Sequence, residues 1–133
     1  MQKAITILLF ISSIPSFSQK YATVDIVKAR LSYEKEVLYF YEKNWKAFRE
    51  EAKRQKVISG YSLFRSPADS TGYFDITLIT EYKNAAAYAQ AEEKFGPIMK
   101  KISPNGPQYL NATKREEFLK YIIGTEGLQI FGK

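Results

Sequence analysis

Apolar and polar residues alternate along the stretch YATVDIVKARL, from Tyr21 to Leu31. Successive side chains of a strand point to opposite faces of a sheet, and this stretch is rich in β-branched residues and has no turn formers. It therefore predicts a first strand. Similar patterns predict strands over VISGYSLFR (57–65), YFDITLITEY (73–82) and REEFLKYIIG (115–124). The turn-rich segment 66–72 would join the second and third strands as an antiparallel hairpin.

Between the first two strands the apolar positions follow the period of a helix, from about Ser32, the predicted N-cap, to Gln55. At about 100° per residue, one stripe of this helix is apolar and is predicted to be buried. The stripe holds Val37, Leu38, Tyr41, Trp45, Phe48 and Ala52, while Glu42, Lys46, Arg49 and Glu50 lie opposite. The aromatic cluster YFYEKNWKAF (39–48) is therefore mostly core, with Phe40 at the flank of the stripe and Tyr39 on the polar side. A second helix is predicted to begin at an Asn84 cap and either to end at Gly96–Pro97 or to continue through IMKKI.

The predicted order of elements is β-α-β-β-α-β, which indicates an α+β fold of the ferredoxin-like kind. Its four-stranded antiparallel sheet would carry two helices on one face. In the third and fourth strands, large apolar side chains would point to both faces of the sheet. Phe74 and Ile79 would point to opposite faces, and so would Ile122 and Ile123. A monomer would expose one of these faces to water, so we expect a homodimer in which two sheets cover each other.

Residues 1–18 differ in composition from the rest of the chain. Lys3 precedes an apolar run from Ala4 to Ile14, Pro15 interrupts it, and small residues stand at Ser16 and Ser18. This pattern predicts a signal peptide that is cut after Ser18. A membrane anchor is the alternative, but the run is shorter than the roughly 20 apolar residues that span a bilayer. We expect a single periplasmic or secreted domain over residues 19–133, with no membrane span after cleavage.

The chain contains no cysteine and no histidine. Disulfides, histidine-based hydrolytic triads, and histidine-ligated zinc or haem are thereby excluded. No cofactor and no metal site are predicted, because the aspartates do not form a calcium loop. The net charge of +6 is spread along the chain, which favours a role in solubility. RNA-recognition modules share the element order, but Asp75 would stand where a base should stack, so no nucleic acid partner is expected.

Asp25 and Asp75 are the candidate catalytic residues. Aspartate is depleted in strands, yet both lie in the middle of predicted strands that are neighbours in this fold. Two close carboxylates in a dry site would share a proton, and the one with the raised pKa could act as a general base. The alternative is that each makes an ion pair with Lys28, with Arg65 or with a basic residue of a partner subunit, or lies exposed at a strand end.

Aromatic residues supply the candidate ligand-binding positions. Tyr41 and Trp45 are core residues by their spacing and would form the wall of a cavity, to which Tyr61 and Tyr121 would add hydroxyl groups. Arg65 is a further candidate for ligand contact. A pocket rich in tyrosine suits a flat hydrophobic or phenolic molecule.

The order of elements, the segment NWKAFREEAKRQKVISGYSLF (44–64) and the strand exit EYKNAAAY (81–88) resemble the dimeric α+β barrel superfamily, which includes antibiotic-biosynthesis-type monooxygenases. The resemblance covers nearly all of residues 19–133. It implies a pocket between sheet and helices in each subunit and, in some members, cofactor-independent oxidation or haem degradation. The haem-degrading members use an axial histidine, which this chain does not have.

Two functions follow from these observations. The first is an exported homodimer that binds a small hydrophobic or aromatic molecule, with monooxygenase-like chemistry as an extension. The second is a non-catalytic module whose apolar face serves assembly with itself or with a partner in the cell envelope. The first requires an internal cavity that Asp25 or Asp75 reaches, whereas the second would be packed solid there.

Overall fold

The structure is a computed structural model that describes residues 19–130. The strands are β1 (Tyr21–Arg30), β2 (Gly60–Arg65), β3 (Tyr73–Tyr82) and β4 (Leu119–Gln129), and the helices are α1 (Glu34–Phe40), α2 (Ala47–Arg54), α3 (Ala85–Ile102) and α4 (Arg115–Phe118). The predicted signal peptide lies outside the described residues. None of the helices within 19–130 is long and apolar enough to cross a membrane.

The four strands form one antiparallel sheet in the order β2-β3-β1-β4. Together with the element order, this confirms the predicted ferredoxin-like α+β fold, including the hairpin of β2 and β3 and the pairing of β1 with β3.

The predicted bounds of the fourth strand, 115–124, were wrong at both ends. Residues 115–118 form a helical turn because Glu117 accepts a hydrogen bond from the Lys114 N–H at 2.8 Å, and this turn buries Phe118 completely. The strand then continues past Gly124 to Gln129.

The helix predicted over residues 32–55 is interrupted in the middle. A 3-10 turn (Leu31–Tyr33) leads into α1, and a π-helical segment (Tyr41–Lys46) separates α1 from α2. Ser32 is therefore part of the 3-10 turn and is not an N-cap. A π segment bonds residue i to residue i+5 and turns less per residue than an α-helix. Phe48 and Ala52, which follow this segment, are nevertheless buried as the helical period predicted.

The core lies between the sheet and one layer of helices. In β3 alternate residues from Phe74 to Tyr82 are buried, and they face the helices. Phe40, predicted at the flank of the stripe, is a core residue whose ring centroid lies 5.6 Å from that of Phe118. The second helix begins as predicted, because Asn84 Oδ1 accepts a hydrogen bond of 2.8 Å from the Ala87 N–H. It continues through Pro97 to Ile102.

The opposite face of the sheet is also apolar. Phe64, Thr77, Ile26 and Ile123 form one row across all four strands. Phe64 is 56% exposed and Ile123 is 55% exposed. This row, together with the exposed Tyr121, confirms the expectation that both faces carry large apolar groups. We call it the outer face.

Candidate functional site

A cavity of about 660 Å³ lies between the helix-facing side of the sheet and the helices. Its volume is in the range of about 300 to 1,000 Å³ that is typical of small-molecule sites. The sheet contributes Thr23, Asp25, Val27, Leu78, Tyr82, Ile122 and Glu126, and the helices and loops contribute Phe40, Tyr41, Asn44, Trp45, Phe48, Arg49, Glu92, Phe95, Met99, Ile102, Ser103, Gly106, Pro107 and Arg115.

The edge strand β4 forms part of the cavity wall. The helix-facing residues of β4 are Ile122, which lies opposite Val27, and Gly124, which lies opposite Asp25. Ile122 is 42% exposed although it faces the helices. At Ile122 the edge strand β4 therefore forms a wall of the cavity that the helices leave partly exposed.

Asp25 brings a carboxylate into this apolar cavity. It lies opposite Leu78 of β3 and Gly124 of β4. Burial raises its pKa above the ordinary value, the Arg49 guanidinium lowers it in part, and the Glu126 carboxylate raises it further. A carboxyl group with a raised pKa beside an apolar pocket can serve as a general base or as a hydrogen-bonding group for a ligand.

Arg49 places a guanidinium group among three aromatic rings. Its Cζ lies 5.1 Å from the ring centroid of Trp45, 4.7 Å from that of Phe48 and 5.1 Å from that of Phe95. Its Nε donates a hydrogen bond of 2.8 Å to Oγ1 of the buried Thr80. Burial lowers its pKa, but arginine stays charged in proteins. The sequence pattern placed Arg49 on the polar side of the helix, whereas the structure places it at the cavity.

Tyr41 and Arg115 meet at the cavity wall. The Tyr41 side chain is only 4% exposed, and burial raises its pKa. The adjacent Arg115 guanidinium lowers that pKa in part, while the Asp25 carboxylate raises it. Arg115 acts on the hydroxyl through its charge and as a close hydrogen-bonding neighbour, although the contact does not have full hydrogen-bond geometry. Within residues 19–130, neither the Tyr41 hydroxyl nor the Arg115 Nε has a hydrogen-bond partner.

Asn44 of the π segment holds the loop that lines one end of the cavity. Its Nδ2 donates to the carbonyl oxygens of Phe40 and Gln108, both at 2.8 Å, and its Oδ1 accepts from the Gln108 N–H at 2.7 Å. Gly106 and Pro107 of this loop line the cavity. Asn44 and Arg115 had no distinguishing sequence signal, because their roles depend on contacts between distant segments.

Asp75 does not share a site with Asp25. It lies opposite Lys28 on the outer face, and its Oδ1 is 3.6 Å from Lys28 Nζ, which also binds Asp69 at 3.0 Å. The prediction that the two carboxylates are close is wrong, because the register of β1 and β3 puts Asp25 opposite Leu78. Odd-numbered residues of β1 face the helices, whereas odd-numbered residues of β3 face the outer side. The alternative prediction, an ion pair with Lys28, is confirmed for Asp75.

Only some of the predicted ligand-binding residues line the cavity. Tyr41 and Trp45 do, whereas Tyr61, Arg65 and Tyr121 do not.

The three residues outside the cavity make other contacts. Tyr61 packs against Trp45 at 5.9 Å between ring centroids, and its hydroxyl donates a hydrogen bond of 3.2 Å to Glu50. Arg65 makes an ion pair with Glu34 and stacks on Phe74. Tyr121 lies opposite Lys28 on the outer face. The prediction that these three residues line the pocket is wrong, because β2 lies at the far edge of the sheet and Tyr121 points away from the helices.

Charges of both signs line the cavity. Asp25, Glu92 and Glu126 contribute carboxylates, and Arg49 and Arg115 contribute guanidinium groups. Among residues 19–130, no group of three or more Asp, Glu, His or Cys side chains could hold a metal ion. The arrangement combines flat aromatic walls with a few hydrogen-bonding groups, which is the composition of a small-molecule site.

Comparisons with known proteins find no protein-family model that matches the chain and no curated relative. Among solved structures, a dimeric ferredoxin-like protein from an uncultured marine organism is 13% identical, with a TM-score of 0.45, over 85% of this chain and 90% of that one. A de novo designed protein, Foldit4, is 11% identical, with a TM-score of 0.34, over 82% of this chain and 99% of that one. The fold assignment rests on the element order and the strand order described above.

Proposed function

We propose that the protein binds a small aromatic or hydrophobic molecule in the cavity between its sheet and its helices. The observation that carries this proposal is a cavity of about 660 Å³ lined by Trp45, Phe48 and Phe95 and by the carboxylate of Asp25. Aromatic walls provide area for a flat ligand, and a few polar groups fix its orientation.

The assembly module is the weaker of the two candidate functions. It requires a solid core around Asp25, whereas Asp25 lines a cavity. The apolar outer face is better explained by self-association, in which two sheets cover their rows of Phe64, Ile26 and Ile123. We therefore propose a homodimer of the dimeric α+β barrel kind, with one cavity in each subunit.

Two further parts of the proposal come from the sequence. The composition of residues 1–18 supports export to the periplasm or the exterior. The resemblance to monooxygenases that need no cofactor supports chemistry on the bound molecule, in which Asp25 would be the base because its pKa is raised and it lines the cavity.

Native mass spectrometry of the protein tests the proposal. The full chain is expressed in a bacterial host with an export pathway and purified gently. We expect a dimer of chains that lack residues 1–18, with a small molecule bound. The Met99→Trp variant should lose that molecule, because Met99 is 54% exposed, lines the cavity, and can enlarge into it without disturbing the core.

Lys100→Trp is the matched control, since Lys100 is the exposed next residue of α3 and does not line the cavity. It should keep the small molecule. A wild-type protein that carries no small mass and binds no added aromatic compound would overturn the proposal. A monomer would overturn the pairing of the outer faces but not the cavity.

A further inference from the structure

Arg49 brings a positive charge to the cavity without a carboxylate in direct contact with it. Among residues 19–130, none of the salt bridges includes Arg49. The carboxylates of Asp25 and Glu92 act on its charge only from beyond salt-bridge range. A charge that is largely withdrawn from water is normally paired, because its lost hydration is otherwise uncompensated. The guanidinium of Arg49 therefore lacks the partner that its position calls for.

Most of the hydrogen-bond donors of Arg49 are free and accessible. Its Nε donates to Thr80 Oγ1, and this is its one hydrogen bond within the described residues. Arginine has five N–H donors, so the four on the two Nη atoms remain. The fully buried side-chain atoms without a partner, in the same residues, belong to Tyr41, Asp75 and Arg115. The Nη atoms of Arg49 are not among them, so they keep open surface at the cavity that Arg49 lines.

The guanidinium group is fixed in place before any ligand binds. The ring of Trp45 in the π segment, that of Phe48 in α2 and that of Phe95 in α3 lie around it, with centroids 4.7 to 5.1 Å from Cζ. The hydrogen bond to the buried Thr80 ties it to β3. Donors that are already ordered lose less conformational entropy when a ligand binds.

We propose that Arg49 is a carboxylate subsite of the cavity and that the bound molecule is an aromatic acid. The inference rests on the proposed function, because it names the chemical class of the ligand in the same cavity. The planar fork of an arginine matches the two oxygens of a carboxylate, and the opposite charges strengthen both hydrogen bonds. Trp45, Phe48 and Phe95, which line the same cavity, would contact the aromatic body of the ligand.

The other charges of the cavity act on such a ligand as well. Asp25, Glu92 and Glu126 would repel an anion, and Arg115 would attract it. Charge interactions weaken with distance, and the ligand carboxylate would be in hydrogen-bond contact with Arg49. We therefore expect the contact with Arg49 to dominate. The charge of the ligand is the property that an experiment must vary.

Isothermal titration calorimetry at neutral pH with three probes tests the subsite. The probes are naphthoate, naphthamide and naphthylmethylamine, which share an aromatic body and are negative, neutral and positive, respectively. We expect naphthoate to bind about tenfold more tightly than naphthamide, and naphthylmethylamine to bind most weakly.

Arg49→Gln should remove the preference for naphthoate over naphthamide, because glutamine keeps a neutral donor but loses the charge and the fork. Arg65→Gln is the matched control. Arg65 also lies over an aromatic ring, with its Cζ 5.0 Å from the ring centroid of Phe74, but it does not line the cavity. The control should keep the preference of the wild type.

Arg49 also packs between rings and bonds to Thr80, so Arg49→Gln should lower the melting temperature. A purely structural role would weaken all three probes alike, whereas the subsite predicts a change in their order. Arg49→Lys keeps the charge without the fork and should bind naphthoate with intermediate affinity. The order of the three probes on the wild type tests the subsite without any variant.

The outcomes distinguish this inference from the function on which it depends. If none of the probes binds to the wild type, the aromatic pocket is wrong and the subsite falls with it. If the probes bind but naphthoate has no preference over naphthamide, or keeps it in Arg49→Gln, the pocket stands and the subsite is wrong. Tightest binding of naphthylmethylamine would also overturn the subsite, because the carboxylates would then set the charge preference of the cavity.

Discussion

The Asp25 carboxylate occupies the space that a side chain at Gly124 would need. A Cβ at position 124 would lie 2.7 Å from Asp25 Oδ1, closer than real Cβ contacts come. The two residues lie opposite each other in the pairing of β1 with β4. Because position 124 is a glycine, the Asp25 carboxylate can lie against β4 at the cavity wall.

Replacement of Gly124 by alanine should lower the free energy of unfolding by about 1 to 2 kcal/mol, because the methyl group displaces the carboxylate. In an Asp25→Ala background the same change should be neutral or stabilising by up to about 1 kcal/mol, since alanine suits a strand better than glycine. Urea denaturation of the four proteins gives the coupling energy. Gly96→Ala, where an added Cβ meets nothing within 4 Å, is the control and should not depend on Asp25.

Asp25 should make stability depend on pH in a predictable direction. Burial raises its pKa in the folded protein above the ordinary value of 3.8. The folded state therefore keeps the proton to a higher pH than the unfolded state, and stability falls as pH rises from the unfolded pKa through the folded pKa. Asp25→Asn cannot ionise, so its stability relative to the wild type should increase across that window and then stay constant. Denaturation from about pH 3 to about pH 7 measures this, and a constant difference would contradict the prediction.

Asn44→Ala should release the loop at the end of the cavity. The change removes the hydrogen bonds to the backbone of Gln108, and we expect a loss of about 1 to 2 kcal/mol in unfolding free energy. The Gln108 amide should exchange its hydrogen faster, which mass spectrometry can measure. Asn105→Ala in the same exposed loop is the control. Equal exchange in both variants would show that Asn44 does not hold the loop.

Ile123→Lys should dissociate the proposed dimer. Ile123 is 55% exposed at the outer face, so the lysine is tolerated in a monomer, whereas two lysines at a closed interface would be buried without partners. Analytical ultracentrifugation should find the variant monomeric at concentrations at which the wild type is dimeric. Leu110→Lys, at an exposed apolar residue of the loop before α4, should stay dimeric. A dimeric Ile123→Lys protein would place the interface elsewhere.

Local patterns were sufficient to predict the fold. Strand alternation, the helical period and the Asn84 cap depend on neighbours in the chain, and they predicted the element order and the sheet. The same alternation showed that both faces of the sheet are apolar. The lack of histidine and cysteine excluded whole classes of chemistry without any structure.

Tertiary structure decided which residues line the cavity. The pairing register of β1 and β3 separated Asp25 from Asp75, and register depends on contacts between distant strands. Arg49 lies at the cavity although the helical period put it on the polar side, and no residue type in the π segment signals that interruption. The α3 to α4 loop brought Arg115 beside Tyr41. The sequence by itself therefore determined which elements form, whereas the packing of those elements decided which charged groups share the cavity, because periodicity carries no information about contacts between distant segments.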